Sequence, residues 1–440
     1  MNAHYRRPLV PMLLAALLLA AAAAGTAAPP LAAADDPLLQ AVAAAPPGST
    51  VTVPPGVHRV NLVLDKPITL LGQPGAILDG GGRGDVLRIG GSQVTVRGLT
   101  LRHSGTDLTA TDAGIFVERR SVDVTIADNR IEHSLFGIYL DGATRVRVER
   151  NTIRGMTTLR VPDRGDGIHL WNDTGCSIEA NDIAGSRDGI YVYVSPHNVI
   201  ARNRIRDVRY GIHYMYSNDN TVAGNVSRDS VAGYALMSSA HLTVRDNIAL
   251  DERSYGFLLN YISYSEIAGN QVRGVRGQHD ARDALIEGAD GKGMFVYLSQ
   301  FNSIRDNLLA DAQIGIHMTA GSEHNRVYGN AFKANRVQVK YVQNIAEEWS
   351  ARGRGNFWSD YLGWDMNADG IGDIPYRPND GVDVLLWKYP TARTLMSSPS
   401  ILLLRYVQRA FPVFTPPSIE DSHPLMQPPL LPARPDAQRD

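Results

Sequence analysis

A 22-residue beat constrains this chain more than any other feature. Gly-apolar-x-apolar recurs at Gly167, Gly189, Gly211, Gly233 and Gly256, with further copies starting at Gly114, Gly137, Gly293 and Gly315. An Asn beat keeps step with it: Asn129, Asn151, Asn181, Asn203, Asn225, Asn247, Asn270, Asn307 and Asn330. A fixed period of this length means stacked copies of one small unit. It therefore overrides the two or three domains that 440 residues would otherwise suggest.

Each unit reads as short strands. The first and third residues after Gly are apolar (Ile168/Leu170, Ile190/Val192, Phe257/Leu259), which is the alternation of a half-buried strand. A second strand ends three residues before each Asn (Ile126, Val148, Ile178), and a third begins two residues after many of them (Ile131, Ile153, Ile183). The prediction is an all-β chain: a right-handed parallel β-helix solenoid of about 13 coils, on the order of 60 Å long. Asn suits the corners because it tolerates left-handed backbone and can bond to the Asn above and below. Asn198, Asn220, Asn302 and Asn325 suggest a second such ladder. Thr50 to Arg102 reads as the first coils, and Leu38 to Ala45 as a short helix covering the open end.

The ends differ in kind. Residues 1–34 read as a secretory signal peptide: Arg6 and Arg7, an apolar run from Leu9 to Ala24, then small residues. An uncleaved anchor is the alternative. No later apolar run is long enough to span a bilayer, so the mature protein is expected to be soluble. Residues 35–345 would be the β-helix with its N-terminal cap, and 346–395 an Asp/Trp-rich C-terminal cap. Residues 396–440 would be an amphipathic helix (Ile401 to Phe411) and an extended Pro-rich docking tail. Net charge is -2 with no basic block, which excludes nucleic acid as a partner. The single cysteine, Cys176, stands where other repeats place Val124, Val146 and Leu242, and so reads as a core rung. Two insertions, Met156 to Asp166 and the segment between Asn270 and Gly293 that includes His279, Asp280, Asp283 and Glu287, fall at the same corner. They should flank the coils between them.

The outward face of the Gly strands carries the functional expectation. It is aromatic, His and Met where a solvated face would be Lys, Glu, Ser and Thr: His169, Trp171, Tyr191, Tyr193, His213, Met215, Met237, Phe295, Tyr297 and His317. Such a stripe marks a partner-binding surface, unless the chain's own C-terminal tail covers it. Within it, Met215 and Met237 occupy equivalent places on adjacent coils and His213 shares their face. Thioether and imidazole donors together favour Cu(I), held transiently; packing or partner contact is the other reading of the same residues. In the C-terminal cap, Asp365, Asn367, Asp369 and Asp373 around Gly370 give the spacing of a truncated Ca2+ loop, or of an Asx-turn cluster.

Three tracts carry a family resemblance: Gly355-Asn-Phe-Trp-Ser-Asp-Tyr-Leu-Gly-Trp-Asp365, Asp369-Gly-Ile-Gly-Asp-Ile-Pro-Tyr-Arg-Pro-Asn-Asp380, and Asp421-Ser-His-Pro-Leu-Met426. They resemble the NosD family, periplasmic β-helix proteins of nitrous oxide reductase maturation. The resemblance implies an accessory protein in the periplasm that works with an ABC ATPase and its membrane permease. It would assist copper delivery to the copper–sulfur centre of nitrous oxide reductase, with a lipoprotein copper chaperone as donor. It would not be an enzyme; the chain has no Walker motif. Two alternatives stand beside this: a docking scaffold for the chaperone and reductase that binds no metal, and, remotely, a β-helix polysaccharide lyase or epimerase. The last would need clustered carboxylates, or an acid–base His with an Arg or Lys to neutralise a uronate; the stripe offers only the carboxylates Asp141 and Glu118, far from its centre.

Overall fold

The computed structural model describes residues 37–278, 289–319, 321–343, 345–379, 382–383, 387, 398–410 and 418–429. The expected signal-peptide segment, residues 279–288 of the second insertion and most of the Pro-rich tail lie outside them. Three parallel sheets of 12, 13 and 12 strands run along the described body, each built from every third strand in chain order. That is twelve complete three-stranded turns and a thirteenth represented by Phe357–Trp358, a parallel β-solenoid of the predicted size. The N-terminal helix Pro37–Ala44 lies where expected and buries Leu38 and Val42 against the first coil's core.

Strand pairing puts like residues over like. In the third sheet, which holds the Gly strands, Ile138, Ile168, Ile190, Ile212, Tyr234, Phe257, Met294, Ile316 and Val339 form one in-register column. Every member is fully buried. Each such rung stabilises by about 1.5–3 kcal/mol relative to an exposed side chain. The repeated Gly is a packing requirement. A Cβ on Gly189 would overlap Ile205 and the carbonyl oxygen of Gly211 on the next coil. Cys176 is a buried rung, as its register predicts, and burial pushes its thiol up to about 12.

The Asn column at the corner between the first and second sheets is continuous from Asn129 to Asn356. Each Oδ1 accepts both the backbone N–H and the side-chain Nδ2 of the Asn one coil earlier, as Asn203 does from Asn181 at 3.0 and 2.9 Å. The expected left-handed backbone is at this corner, but on the residue before Asn: Asp128, Arg150, Ala180, Arg202 and Asp246 have φ between 54° and 58°. Asn is selected here for its amide, not for its backbone freedom.

At the C-terminal end Trp349 and Trp358 are buried, and Phe332, Trp358 and Tyr376 stack with centroids 4.3 and 4.6 Å apart. The chain returns here. Ile419–Glu420 pairs parallel with Glu347–Glu348, and Leu425 bridges to Phe357. The described part of the tail, 418–429, thus pairs with the end cap. The amphipathic helix is present as Pro399–Ala410, with Leu402, Leu403, Tyr406 and Val407 exposed.

Candidate functional site on the third sheet

The outward face of the third sheet assembles the predicted stripe. Register places His169 beside Tyr191, Tyr191 beside His213, and Met215 beside Met237; Phe295 lies beside His317 two coils further on. The rings touch one another down the column: Tyr139–His169 stacked at 4.4 Å, then His169–Tyr191 and Tyr191–His213 tilted at 4.8 and 4.7 Å. Trp171 and Tyr193 stack at 4.5 Å beside them.

Stacking makes the face less open than its composition implied. Trp171 and Tyr297 are 40% exposed, whereas His169 and His213 are only 5% and 6% exposed. The first insertion contributes to this cover. Its Met156 and Leu159 pack on the ring cluster of Phe116, Phe136 and Tyr139, and Phe136 meets His169 edge-on. Arg164 pins the insertion by donating to the carbonyls of Thr157, Leu159 and Gly185. The two insertions do flank the coils between them: a groove of about 570 Å³ runs from Val161 in the first, past Arg209 and Arg253, to Gly277 and Gln278 at the start of the second.

Two acids that the sequence reading passed over organise the histidines. Asp166 and Asp188, one coil apart and each just before a repeat Gly, are fully buried. His169 Nδ1 lies 2.8 Å from Asp166 Oδ2, and His213 Nδ1 lies 2.9 Å from Asp188 Oδ2. Arg187 donates twice to Asp166, and Arg209 donates to Asp188 at 2.8 and 2.6 Å. Burial pushes the Asp188 carboxyl up, but the bonds from His213 and Arg209 outweigh it and hold the group below its ordinary value. In the neutral imidazole a carboxylate at Nδ1 holds the proton there and leaves Nε2 as the ring atom with the lone pair. Both Nε2 atoms are buried without a hydrogen-bond partner. This is how proteins set a metal-ligating histidine. The 22-residue spacing of Asp166 and Asp188 places both in one column, but it does not tell which imidazole each acid reaches.

Around His213 the remaining donors are soft. Met215 is on the same strand face and pairs with Met237 on the next coil. Tyr191 Oη contacts Met215 Sδ at 3.5 Å, and burial pushes that phenol up to about 12, so it stays a neutral donor. Imidazole nitrogen with two thioethers suits Cu(I). His317 sits in the opposite environment: burial and the neighbouring Lys340 and Lys292 push its imidazole down to about 3.

Asp365, Asn367, Asp369 and Asp373 come together in one turn, where their side-chain oxygens accept local backbone N–H groups. Asp365 accepts from the N–H groups of Asp369 and Gly370, Asp369 from Ile371, and Asp373 from Met366. This is the Asx-turn cluster. Among the described residues no group of three or more His, Cys, Asp or Glu side chains could hold a metal ion, so Ca2+ has no support.

Comparison with known proteins agrees with the solenoid fold. The chain is similar to the A-module of the mannuronan C-5 epimerase AlgE6 from Azotobacter vinelandii (TM-score 0.50, 16% identity, 71% of this chain and 93% of that one), which is a likeness of fold alone. Among curated proteins, a "Probable ABC transporter binding protein NosD" from Pseudomonas aeruginosa is 54% identical over 380 residues, covering 86% of this chain and 89% of that one. A protein of the same description from Stutzerimonas stutzeri is 51% identical over 85% of this chain and 86% of its own length. The family described as "Periplasmic copper-binding protein (NosD)" matches residues 149–363, a span that holds the histidines, their orienting acids and the methionine pair. With relatives this similar over nearly their whole length, the chain belongs to the NosD family.

Proposed function

We propose that this chain is a periplasmic, non-enzymatic copper-handling protein of an ABC transporter system, and that its cargo, Cu(I), binds at His213, Met215 and Met237. The observation that carries this reading is His213: its Nε2 is buried and unpartnered, its Nδ1 is fixed by Asp188, and it shares a strand face with the Met215–Met237 pair. The periplasmic, copper-binding description of the matching family supports it, as does the transporter association in the relatives' names.

The finer reading follows from ligand chemistry. A lipoprotein copper chaperone docks on the stripe between the two insertions, where exposed Trp171 gives a partner an aromatic anchor. Copper passes by ligand exchange to His213 and the thioethers, which bind softly and exchange fast. The ATPase and permease then change which partner is docked, and copper goes on to the copper–sulfur centre of nitrous oxide reductase.

An anaerobic Cu(I) competition titration tests the reading by comparing wild type with the His213→Ala, Met215→Ala, Met237→Ala triple variant. Tight binding by wild type that the variant loses is the expected result. Absence of binding in both would overturn the carrier and leave a scaffold for copper proteins.

A further inference from the structure

His169 repeats the design of His213 and is not used by the proposed copper site. The two imidazoles lie two coils apart, on the order of 10 Å along the stack, with Tyr191 between them. Each has a fully buried aspartate on Nδ1, each aspartate takes the guanidinium of the following coil (Arg187 or Arg209), and each Nε2 is buried without a partner. The repeat does not make this duplication automatic. Tyr191, in register between them, could have been a third histidine, and the carboxylates reach their imidazoles differently. Asp166 holds the His of its own coil, whereas Asp188 holds the His of the next. Two different side-chain paths converge on the same result, an Nε2 lone pair buried in the stripe. A buried polar atom left without a partner in a low-dielectric setting is costly. Bearing that cost twice points to a ligand at both places.

We propose that His169 is a second Cu(I) ligand, and that the stripe is a two-position relay: copper lands at His169 and moves past the Tyr191 ring to His213, Met215 and Met237. The inference rests on the reading of His213 as a copper ligand. Near His169 the available soft donor is Met156 of the first insertion, which packs on the ring cluster that contacts His169. Each transfer is exchange of one neutral donor for another at the same ion, with no change in copper oxidation state. A landing site with fewer thioethers than its successor gives the relay a direction.

The test uses His169→Tyr, which places there the residue type found at the same register one coil later. Wild type should take up two equivalents of Cu(I), and His169→Tyr one, with the metal-free variant still folded by circular dichroism. Met156→Leu should weaken the second equivalent at least tenfold and leave the first alone. X-ray absorption on wild type supplies a readout independent of any variant: a sulfur-rich shell at one equivalent, and added nitrogen scattering at two. A single equivalent, abolished by the triple variant and insensitive to His169→Tyr, overturns the relay while the copper site stands. No copper bound by wild type overturns both.

Discussion

Glu252 is a buried acid with no part in the proposed metal chemistry, 1% exposed, with Oε2 accepting the Ser230 N–H at 2.7 Å. Burial pushes its carboxyl from the ordinary value near 4.5 up to about 8. The folded state therefore binds a proton that the unfolded chain releases. Its stabilising contribution is full below about pH 4.5, declines as pH rises through 8, and is gone above that. Glu252→Gln removes the titration. The variant should match wild type at pH 4.5, be more stable at pH 9 by on the order of 4 kcal/mol, and show a flatter profile between. Urea midpoints at the two pH values measure this, and parallel profiles would refute it. The same scale shows what composition could not reveal about the stripe. His213, Met215 and Met237 were legible from register, because period-2 alternation fixes which side chains share a face. Asp188 was not, since its bond to His213 spans 25 residues and crosses a coil. The spacing of two residues along a repeat tells which column each is in, not which way a side chain leans between columns.

Among elements, the Asn column shows a ladder doing two kinds of work at once. Asn203 Oδ1 accepts from Asn181 at its backbone N–H and its amide, while Asn203 Nδ2 donates to the Ile178 carbonyl at 2.8 Å and to Asn225 Oδ1 at 2.9 Å. All of these groups are buried. Asn203→Ala leaves a buried N–H and a buried carbonyl unpaired, which should cost about 3–5 kcal/mol. Because each coil of a solenoid contacts chiefly its neighbours, the loss should be local: hydrogen exchange should accelerate in the coils around residues 178–228 and change little near residues 50–100. Uniform acceleration along the chain would contradict this one-dimensional coupling. The column's existence was plain from the 22-residue spacing, but its backbone geometry was not. Positive φ falls on Arg150, Ala180 and Arg202, residue types with no preference for it. The ladder's hydrogen bonds and the flanking buried rungs hold those residues there, and a propensity argument cannot see a conformation imposed by the coils above and below.

For the whole molecule, the open question of any stacked coil is how it ends, because the last rung exposes both an unsatisfied edge and an apolar cross-section. The N-terminal solution, a helix over the first coil, was legible from its apolar spacing and is what Pro37–Ala44 does. The C-terminal solution was not. The Asp421-Ser-His-Pro-Leu-Met426 tract stood out only by resemblance, with no physical role assigned, because its partners are about 65 residues earlier. Asp421 continues the Asn column by one position. Its Oδ2 accepts the Asn356 N–H at 2.7 Å and the Trp358 Nε1–H at 2.8 Å, and its Oδ1 accepts the His423 N–H at 3.1 Å. One fully buried carboxyl thus terminates the ladder, orients the tryptophan that plugs the core and folds its own segment back onto the end. Burial raises this carboxyl above its ordinary value, so the site needs acceptor oxygens more than it needs charge. Asp421→Ala removes the acceptors and should destabilise the last coils by about 3 kcal/mol, with faster hydrogen exchange at residues 330–358 and freer Trp fluorescence on titration with acrylamide. Asp421→Asn keeps one acceptor oxygen for Asn356 and Trp358 and should recover more than half of that loss. Equal damage from both variants would mean that the negative charge itself, and not the continuation of the ladder, closes the solenoid.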